Sequence, residues 1–326
     1  MDADDDSRMS ESKTIHERST TGQKGFPPLF GICRRGTARS FTWSRPALGV
    51  QFALPGIPGD RPRDPPRNHS SGTYHRPTLS PMTDALDEPT RDVQRVLVVT
   101  AHPDDVDFGA AGTVTTWTAS GIEVVYCVCT SGEASGDPTT PPETTARTRE
   151  AEQRAAAATV GVREVLFLGH PDGRLTPSLE LRRDITRVIR RFRPHRVLTW
   201  SPEINWEFLV TSHPDHRAAG EAALAAVYPD ARNPHAHPEL LVDEGLQPWV
   251  VHELWLADGP PERRNRVVDV TDVFPTKLAA LRAHRSQTGH LPDLAGDIRG
   301  WLAETARRSG LPEGRLAETF QVVSTA

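Results

Sequence analysis

Two short clusters of histidine and aspartate have the residue types needed to bind a metal ion and to move a proton. The first, at residues 101–105, reads AHPDD, and the second, at residues 213–216, reads HPDH. Adjacent buried carboxylates repel each other, whereas a divalent cation would neutralise one and leave the other free for proton transfer. Histidine and aspartate without thiolate predict three protein ligands with further positions left open, as in a catalytic zinc site.

A simple turn is the alternative explanation for each cluster. The tripeptide His-Pro-Asp occurs three times, beginning at His102, His170 and His213. Proline fixes φ and aspartate can cap the following helix, so one such tripeptide needs no metal. Spacing alone therefore leaves both the metal site and the turn open.

Strands and helices alternate along the chain from residue 95 and determine where these clusters lie. The β-branched run at 95–100 is typical of a strand buried on both faces of a parallel sheet. Further strands are predicted at 123–130, 164–168, 196–200, 251–256 and 266–270. Helices are predicted at 108–120, 148–160, 181–192, after His216, and at 276–284 and 297–309.

This alternation predicts an α/β fold, with a Rossmann-like, mostly parallel sheet and helices on both faces. In such a sheet ligands gather at the carboxyl ends of the strands. Both His-Asp clusters follow predicted strands, so they could converge there. The helix at 181–192 carries five arginines opposite its apolar side, which we predict to be a solvated face, at Arg182, Arg183, Arg187, Arg190 and Arg191.

Composition excludes several functional classes. The 326 residues carry 38 basic and 43 acidic side chains, a formal charge of −5, which argues against a nucleic-acid partner. No apolar stretch approaches the roughly 20 residues of a membrane helix, so no membrane partner is predicted. The cysteines, Cys33, Cys127 and Cys129, are too few for a disulfide framework and favour a reducing, cytoplasmic location. Neither a dinucleotide nor a nucleotide motif is present.

The first ninety residues differ from the rest of the chain. They hold 11 of the 29 prolines and have no sustained strand or helix period. We therefore predict a disordered extension over residues 1–90 and one catalytic domain over residues 91–326. The segment lacks the apolar core of a secretory signal. Because Met82 closely precedes the first strong strand, a further hypothesis is that translation starts there and residues 1–81 are not part of the protein.

The ordered motifs of the chain resemble the zinc-dependent N-acetylglucosaminyl deacetylases of the PIG-L/LmbE type, which include the mycothiol-pathway deacetylase and amidase. The matching motifs are AHPDD at 101–105, GAAGT at 109–113, TSGE at 130–133, HPDHRA at 213–218 and AHRSQ at 283–287. The resemblance covers roughly residues 93–287, and several motifs in this order are far more specific than one alone.

The resemblance also implies roles for individual residues. Zinc would be held by His102, Asp105 and His216, with Asp104 as the general base and a protonated His213 stabilising the transition state. Iron(II) or cobalt would suit the same ligands. Around this centre, Arg149 and Asp172 would bind substrate hydroxyls, with a surface ion pair and a turn-forming aspartate as the respective alternatives. Asp215 would orient one of its flanking histidines, His213 or His216, or cap the helix, and His284 would lie near the site or at a helix end.

The implied function is a zinc-dependent hydrolase that removes an acetyl or other acyl group from the amine of an N-acylated glucosamine-type sugar or conjugate. The alternatives are an amidase acting on mycothiol-type S-conjugates and a catalytically silent metal- or sugar-binding module. The partner would be a small amino-sugar conjugate, and a homo-oligomer is left open. Thr211 and Ser212 replace a Tyr-Gly of mycothiol deacetylases. The loop before them carries Trp206 and Phe208, which would suit a bulkier substrate or simply pack the loop down.

Overall fold

The computed structural model describes residues 93–325. The predictions of disorder over residues 1–90 and of a start at Met82, together with Cys33, lie outside the described residues. The boundary between residues 90 and 91 stays a prediction. In the described part no helix is long and apolar enough to cross a membrane.

One seven-stranded sheet forms the centre of the described region. Its strands are β1 Arg95–Thr100, β2 Glu123–Val128, β3 Glu164–Phe167, β4 Arg196–Trp200, β5 Glu253–Ala257, β6 Arg266–Asp269 and β7 Ala317–Ser324. The order across the sheet is β3-β2-β1-β4-β5-β7-β6. The first five are mutually parallel, and β7 runs antiparallel to both β5 and β6. The predicted mostly parallel α/β fold is confirmed.

Helices cover both faces of this sheet. They are α1 Asp105–Gly109, α2 Ala111–Ala119, α3 Pro142–Thr159, α4 Leu179–Phe192, α5 Pro214–Val227, α6 Pro238–Val242, α7 Phe274–Ala283, α8 Arg285–Thr288 and α9 Leu294–Arg308. Side chains of β1 alternate between two buried clusters because successive strand residues point to opposite faces. Val96 and Val98 pack in the cluster that contains α2, α3, α7 and α9, whereas Leu97 and Val99 pack with α4 and α5.

Two predictions of local structure were wrong, and one strand was not predicted. The helix predicted at 108–120 is two helices, because Ala110 leaves the helical region with φ −145°. The arginine face of α4 is not fully solvated: Arg190 is buried and donates to the carbonyl oxygens of Asp230 and Asn233. Strand β7 was not predicted, since its sequence includes Glu318, a charge that is buried only because the fold supplies partners for it.

Candidate active site

The predicted site residues lie in segments that follow parallel strands. The 101–105 segment follows β1 and leads into α1, and His213 caps the N terminus of α5 after the long connection from β4. Asp172 lies in the turn that follows β3. The parallel strands thus bring together segments more than one hundred residues apart, as expected for the ligand edge of such a sheet.

One carboxylate oxygen of Asp105 is fixed by two hydrogen bonds, and the other oxygen lies close to two histidines. Its Oδ2 accepts hydrogen bonds from the Thr100 hydroxyl at 2.7 Å and from the His102 backbone N–H at 2.8 Å. Its Oδ1 lies 3.0 Å from His216 Nε2 and 3.5 Å from His102 Nδ1. Burial opposes ionisation, but the nearby imidazoles of His216 and His102 outweigh it and hold the pKa of Asp105 well below its usual range.

The far side of the His102 ring faces two more carboxylates. His102 Nε2 lies 3.0 Å from Asp172 Oδ1 and 3.4 Å from Asp215 Oδ2. Burial disfavours a charged imidazole, yet the carboxylates around it raise the pKa of His102 to about 12. A carboxylate on the second ring nitrogen fixes the tautomer and orientation of a metal-binding histidine. His102 therefore presents Nδ1 to the centre and Nε2 to the carboxylates behind it.

Asp172 and Asp215 also hold the turn that follows β3. Asp215 Oδ2 accepts from the Gly173 N–H at 2.7 Å, and Asp172 Oδ2 accepts from the Ala134 N–H at 2.9 Å. Asp215 thus lies against His102, whereas the sequence predicted that it would orient one of its flanking histidines, His213 or His216, or cap the helix. Asp172 has a protein partner for each oxygen, whereas contact with substrate hydroxyls was predicted.

Asp104 lies beside this centre in a strained backbone conformation. Its φ is 86°, which is uncommon for a residue other than glycine. Its backbone N–H donates to Gln153 Oε1 at 2.7 Å, and its Oδ2 lies 3.2 Å from Arg149 Nη2. Burial raises the pKa of Asp104 to about 6, although the charge of Arg149 opposes the shift. A carboxyl with this pKa exchanges protons readily near neutral pH.

Arg149 is buried, and its guanidinium is shared among several groups of the protein. Nη2 donates to the Pro103 carbonyl at 2.6 Å, and Nη1 donates to the Gly132 carbonyl at 3.0 Å and to the Ser135 hydroxyl at 2.9 Å. Gly132 has φ +67°, and a Cβ there would lie 2.1 Å from Nη1 of Arg149. The arginine predicted to bind substrate therefore joins the Asp104 carboxylate to the loop after β2.

His213 is exposed at the N terminus of α5 and differs in charge from the prediction. Its Nδ1 accepts a hydrogen bond from the Asp215 backbone N–H at 3.2 Å, so the neutral ring carries its proton on Nε2. Partial burial and the nearby imidazoles of His102 and His216 lower the pKa of His213. The lowered pKa favours a neutral ring whose Nε2–H remains available as a donor, whereas the resemblance implied a protonated His213, and that role stays a prediction.

Behind Asp104 lies a buried polar network that the sequence did not reveal. Asp107 Oδ2 accepts from Gln153 Nε2 at 2.8 Å and lies 2.8 Å from His284 Nε2. All three side chains are fully buried. Burial lowers the pKa of His284, but the hydrogen bond and charge of Asp107 outweigh that effect and raise it. Of these residues the sequence named only His284, which was predicted to lie near the site or at a helix end.

Among the described residues, two groups of three side chains bring their donor atoms close enough together to hold one metal ion. They are His102 with His213 and His216, and His102 with Asp172 and Asp215, and within each group the donor atoms lie within 4.8 Å of one another. The predicted set of His102, Asp105 and His216 is not one of these two groups, although its Asp105 oxygen lies 3.0 Å from His216 Nε2 and 3.5 Å from His102 Nδ1. Two imidazoles and a carboxylate, supported from behind by Asp172 and Asp215, fit a divalent cation.

Together, the fold and this geometry define an α/β protein with a cluster of histidine and aspartate at the carboxyl edge of its sheet that could hold a metal ion. A family model described as GlcNAc-PI de-N-acetylase, PIG-L, matches residues 97–227. A diacetylchitobiose deacetylase of Thermococcus kodakarensis is 35% identical over 210 residues, covering 64% of this chain and 76% of the relative. The chain belongs to the PIG-L/LmbE family of deacetylases.

Two further relatives agree with this membership. A 1D-myo-inositol 2-acetamido-2-deoxy-alpha-D-glucopyranoside deacetylase of Saccharopolyspora erythraea is 30% identical over 239 residues, covering 59% of this chain and 77% of the relative. The solved structure of N,N'-diacetylchitobiose deacetylase from Pyrococcus horikoshii superimposes with a TM-score of 0.65 at 30% identity. It covers 74% of this chain and 88% of that one.

Proposed function

We propose that the protein is a metal-dependent deacetylase that hydrolyses the acetamido group of an N-acetylglucosamine-type sugar or conjugate. The observation that carries the proposal is the position of Asp104, a second carboxyl that is next in sequence to Asp105 and is held by Arg149 beside the His/Asp cluster. A protein that only bound metal would need no second buried carboxylate there. The names of the relatives support the acetamido sugar as the substrate class.

The proposed ligands of the metal are His102, Asp105 and His216, and the proposed metal is zinc, with iron(II) or cobalt as substitutes. A divalent cation held there lowers the pKa of water toward 7 and polarises the amide carbonyl. Asp172 and Asp215 keep His102 in the tautomer that presents Nδ1. Thr100 fixes the rotamer of Asp105 through the 2.7 Å hydrogen bond to its other oxygen.

Asp104 is the proposed general base. It accepts the proton from the attacking water as the C–O bond forms, and it delivers that proton to the amine nitrogen as the C–N bond breaks. The products are acetate and the free amino sugar. Arg149, at 3.2 Å, holds the carboxylate in place, so we assign Arg149 a positioning role through Asp104 as well as the predicted contact with substrate.

His213 is the proposed donor to the oxygen that gains negative charge in the transition state. The helix N-terminal hydrogen bond to Nδ1 leaves Nε2–H directed away from the backbone. A neutral imidazole donor is sufficient for this electrostatic stabilisation. Asp172 is proposed to act on substrate indirectly, by fixing His102 and the turn after β3. The cytoplasmic location stays a prediction.

Metal analysis combined with acetate release tests the proposal. Anaerobically purified protein should hold about one metal ion per chain and should release acetate from N-acetylglucosamine derivatives. The variant Asp104→Asn should keep the metal and lose turnover, whereas Asp243→Asn, at an exposed aspartate, should match the wild type. Bound metal without acetate from any sugar would reject the deacetylase and favour the amidase or the binding module.

A further inference from the structure

A cavity of about 370 Å³ adjoins the metal cluster on the side of β5 and α9. Its lining includes Asp258, which directly follows β5, the loop residues Phe208 and Thr211, and Trp301 of α9. Thr211 connects the cavity to the centre, because its carbonyl oxygen lies 3.3 Å from His216 Nδ1. The cavity is large enough to hold part of a small-molecule substrate.

All the charged side chains that line this cavity, except one, have partners within the protein. Glu207 lies 3.3 Å from Arg308, which also pairs with Glu304 at 2.9 Å. Arg264 donates to the Gly259 carbonyl at 3.2 Å and to the Thr319 hydroxyl at 3.3 Å. The carboxylate of Glu318 accepts from the Thr113 hydroxyl and from Lys277.

Asp258 is the exception. Within residues 93–325 no hydrogen bond or ion pair engages its carboxylate, although the side chain lines the cavity. Its backbone has φ 55°, a left-handed conformation that is unfavourable for a residue other than glycine, asparagine or aspartate. Burial raises the pKa of Asp258, and the charges of Arg264 and His216 oppose that shift. A partly buried carboxylate that lines a cavity and has no partner among residues 93–325 is a candidate for ligand binding.

We propose that Asp258 accepts hydrogen bonds from the hydroxyl groups of a second ring that is linked to the acylamino sugar. An ionised carboxylate only accepts hydrogen bonds, and the hydroxyls of a sugar ring supply the donors. Trp301 and Phe208 offer aromatic surface for the C–H face of the same ring. The inference rests on the proposed function and extends it, because it makes Asp258 a specificity residue for the ring that is linked to the acylamino sugar.

Two substitutions at this position distinguish the effect of the carboxylate from the effect of the backbone conformation. Glycine adopts φ 55° without steric cost, so Asp258→Gly removes only the side chain, whereas alanine would strain the backbone at this position. Asp258→Asn keeps the size and tolerates the same conformation but replaces one acceptor oxygen by a donor. Glu262→Gln, at an exposed glutamate in the same connection, controls for the loss of one negative charge.

Calorimetric binding of two probes tests the proposal. The probes are N-acetylglucosamine and N,N'-diacetylchitobiose, and both are titrated into metal-loaded Asp104→Asn protein so that neither is consumed. We expect the disaccharide to bind at least about tenfold more tightly than the monosaccharide, the range of hydrogen bonds to a charged group. Asp258→Gly should remove that advantage and leave monosaccharide affinity unchanged, Asp258→Asn should reduce it, and Glu262→Gln should keep it.

The opposite results overturn the proposal. One is that the disaccharide binds no more tightly than the monosaccharide to the Asp104→Asn protein, and another is that the tighter binding of the disaccharide survives Asp258→Gly. An equal loss of affinity for both sugars in Asp258→Gly would indicate a structural role for Asp258. The failure of the deacetylase proposal would look different. In that case wild-type protein would release no acetate from either probe, while the comparison of the two affinities would still decide the role of Asp258.

Discussion

The side-chain oxygen of Gln153 lies 2.7 Å from the backbone nitrogen of Asp104, the residue that we propose as the general base. The amide nitrogen of the same glutamine donates to Asp107 at 2.8 Å, and Asp107 in turn contacts His284. A continuous chain of hydrogen bonds therefore runs from α7 to the strained backbone of Asp104. This chain offsets the cost of a left-handed aspartate at the end of β1.

Replacing Gln153 should reduce catalysis without removing the metal. Gln153→Met keeps the shape and removes both hydrogen bonds, so Asp104 loses the acceptor that fixes its backbone. We expect kcat to fall by about 10- to 100-fold, since small displacements of a catalytic group have effects of that size. The metal content should equal that of wild type. Gln247→Met, at an exposed glutamine, is the control, and an unchanged kcat in Gln153→Met would refute the positioning role.

Removal of the Asp104 carboxylate should separate proton transfer from metal binding. Asp104→Asn should lower kcat by about 10²- to 10⁴-fold, the usual contribution of a general base. Metal content measured by elemental analysis should stay near one per chain, because the proposed ligands are untouched. If the variant loses its metal together with its activity, Asp104 is a ligand and the proposed division of roles between Asp104 and Asp105 is wrong.

Two substitutions should distinguish the alternative sets of metal ligands. If His102, Asp105 and His216 bind the ion, Asp105→Asn should weaken metal affinity severely and His213→Gln should leave it close to that of wild type. If His102, His213 and His216 bind it, the order is reversed. Competition with a chromophoric chelator measures both affinities. In the first case His213→Gln should still lower kcat, because its Nε2–H donor is lost.

The two glycines of the loop after β2 make a matched pair for the role of Arg149. Gly132 and Gly136 both have positive φ, but only at Gly132 would a Cβ meet the Arg149 guanidinium. Gly136→Ala therefore reports backbone strain alone. We expect Gly132→Ala to lower the free energy of unfolding by at least about 1 kcal/mol more than Gly136→Ala does. We also expect Gly132→Ala to reduce activity, because a displaced Arg149 no longer holds Asp104 in place. Equal destabilisation in denaturant titrations would contradict this account.

Cys127 and Cys129 should be unreactive in the folded protein. Both are buried on or directly after β2, and burial raises the pKa of Cys127 to about 12 and that of Cys129 well above its usual value. The thiolate, which is the reactive form, is therefore scarce at pH 8. Peptide mass spectrometry after iodoacetamide treatment should show modification of these two residues only after unfolding. Rapid labelling of the native protein would mean that β2 opens.

Much of the fold and the core of the site could be predicted from the sequence. The β-branched run of β1 and the alternation of strands and helices predicted a parallel sheet, because apolar periodicity follows directly from burial. The carboxyl-edge rule then placed His102 and His216 together, although they are more than one hundred residues apart. The wrong predictions concern positions where tertiary contacts overrule composition, such as the buried Arg190 and the strand that contains Glu318.

Tertiary structure alone decided which partner each polar side chain has. The sequence named Asp172 and Arg149 as site residues. It did not indicate that Asp172 lies 3.0 Å from His102 Nε2 or that Arg149 lies 3.2 Å from the Asp104 carboxylate. Nor could it single out Asp107, Gln153 or Asp258. Hydrogen bonds and pKa values depend on distances between atoms of distant segments, which local patterns do not encode. The sequence thus determined the elements and the ligand types, while packing determined which carboxylates are held, shared or left unpartnered.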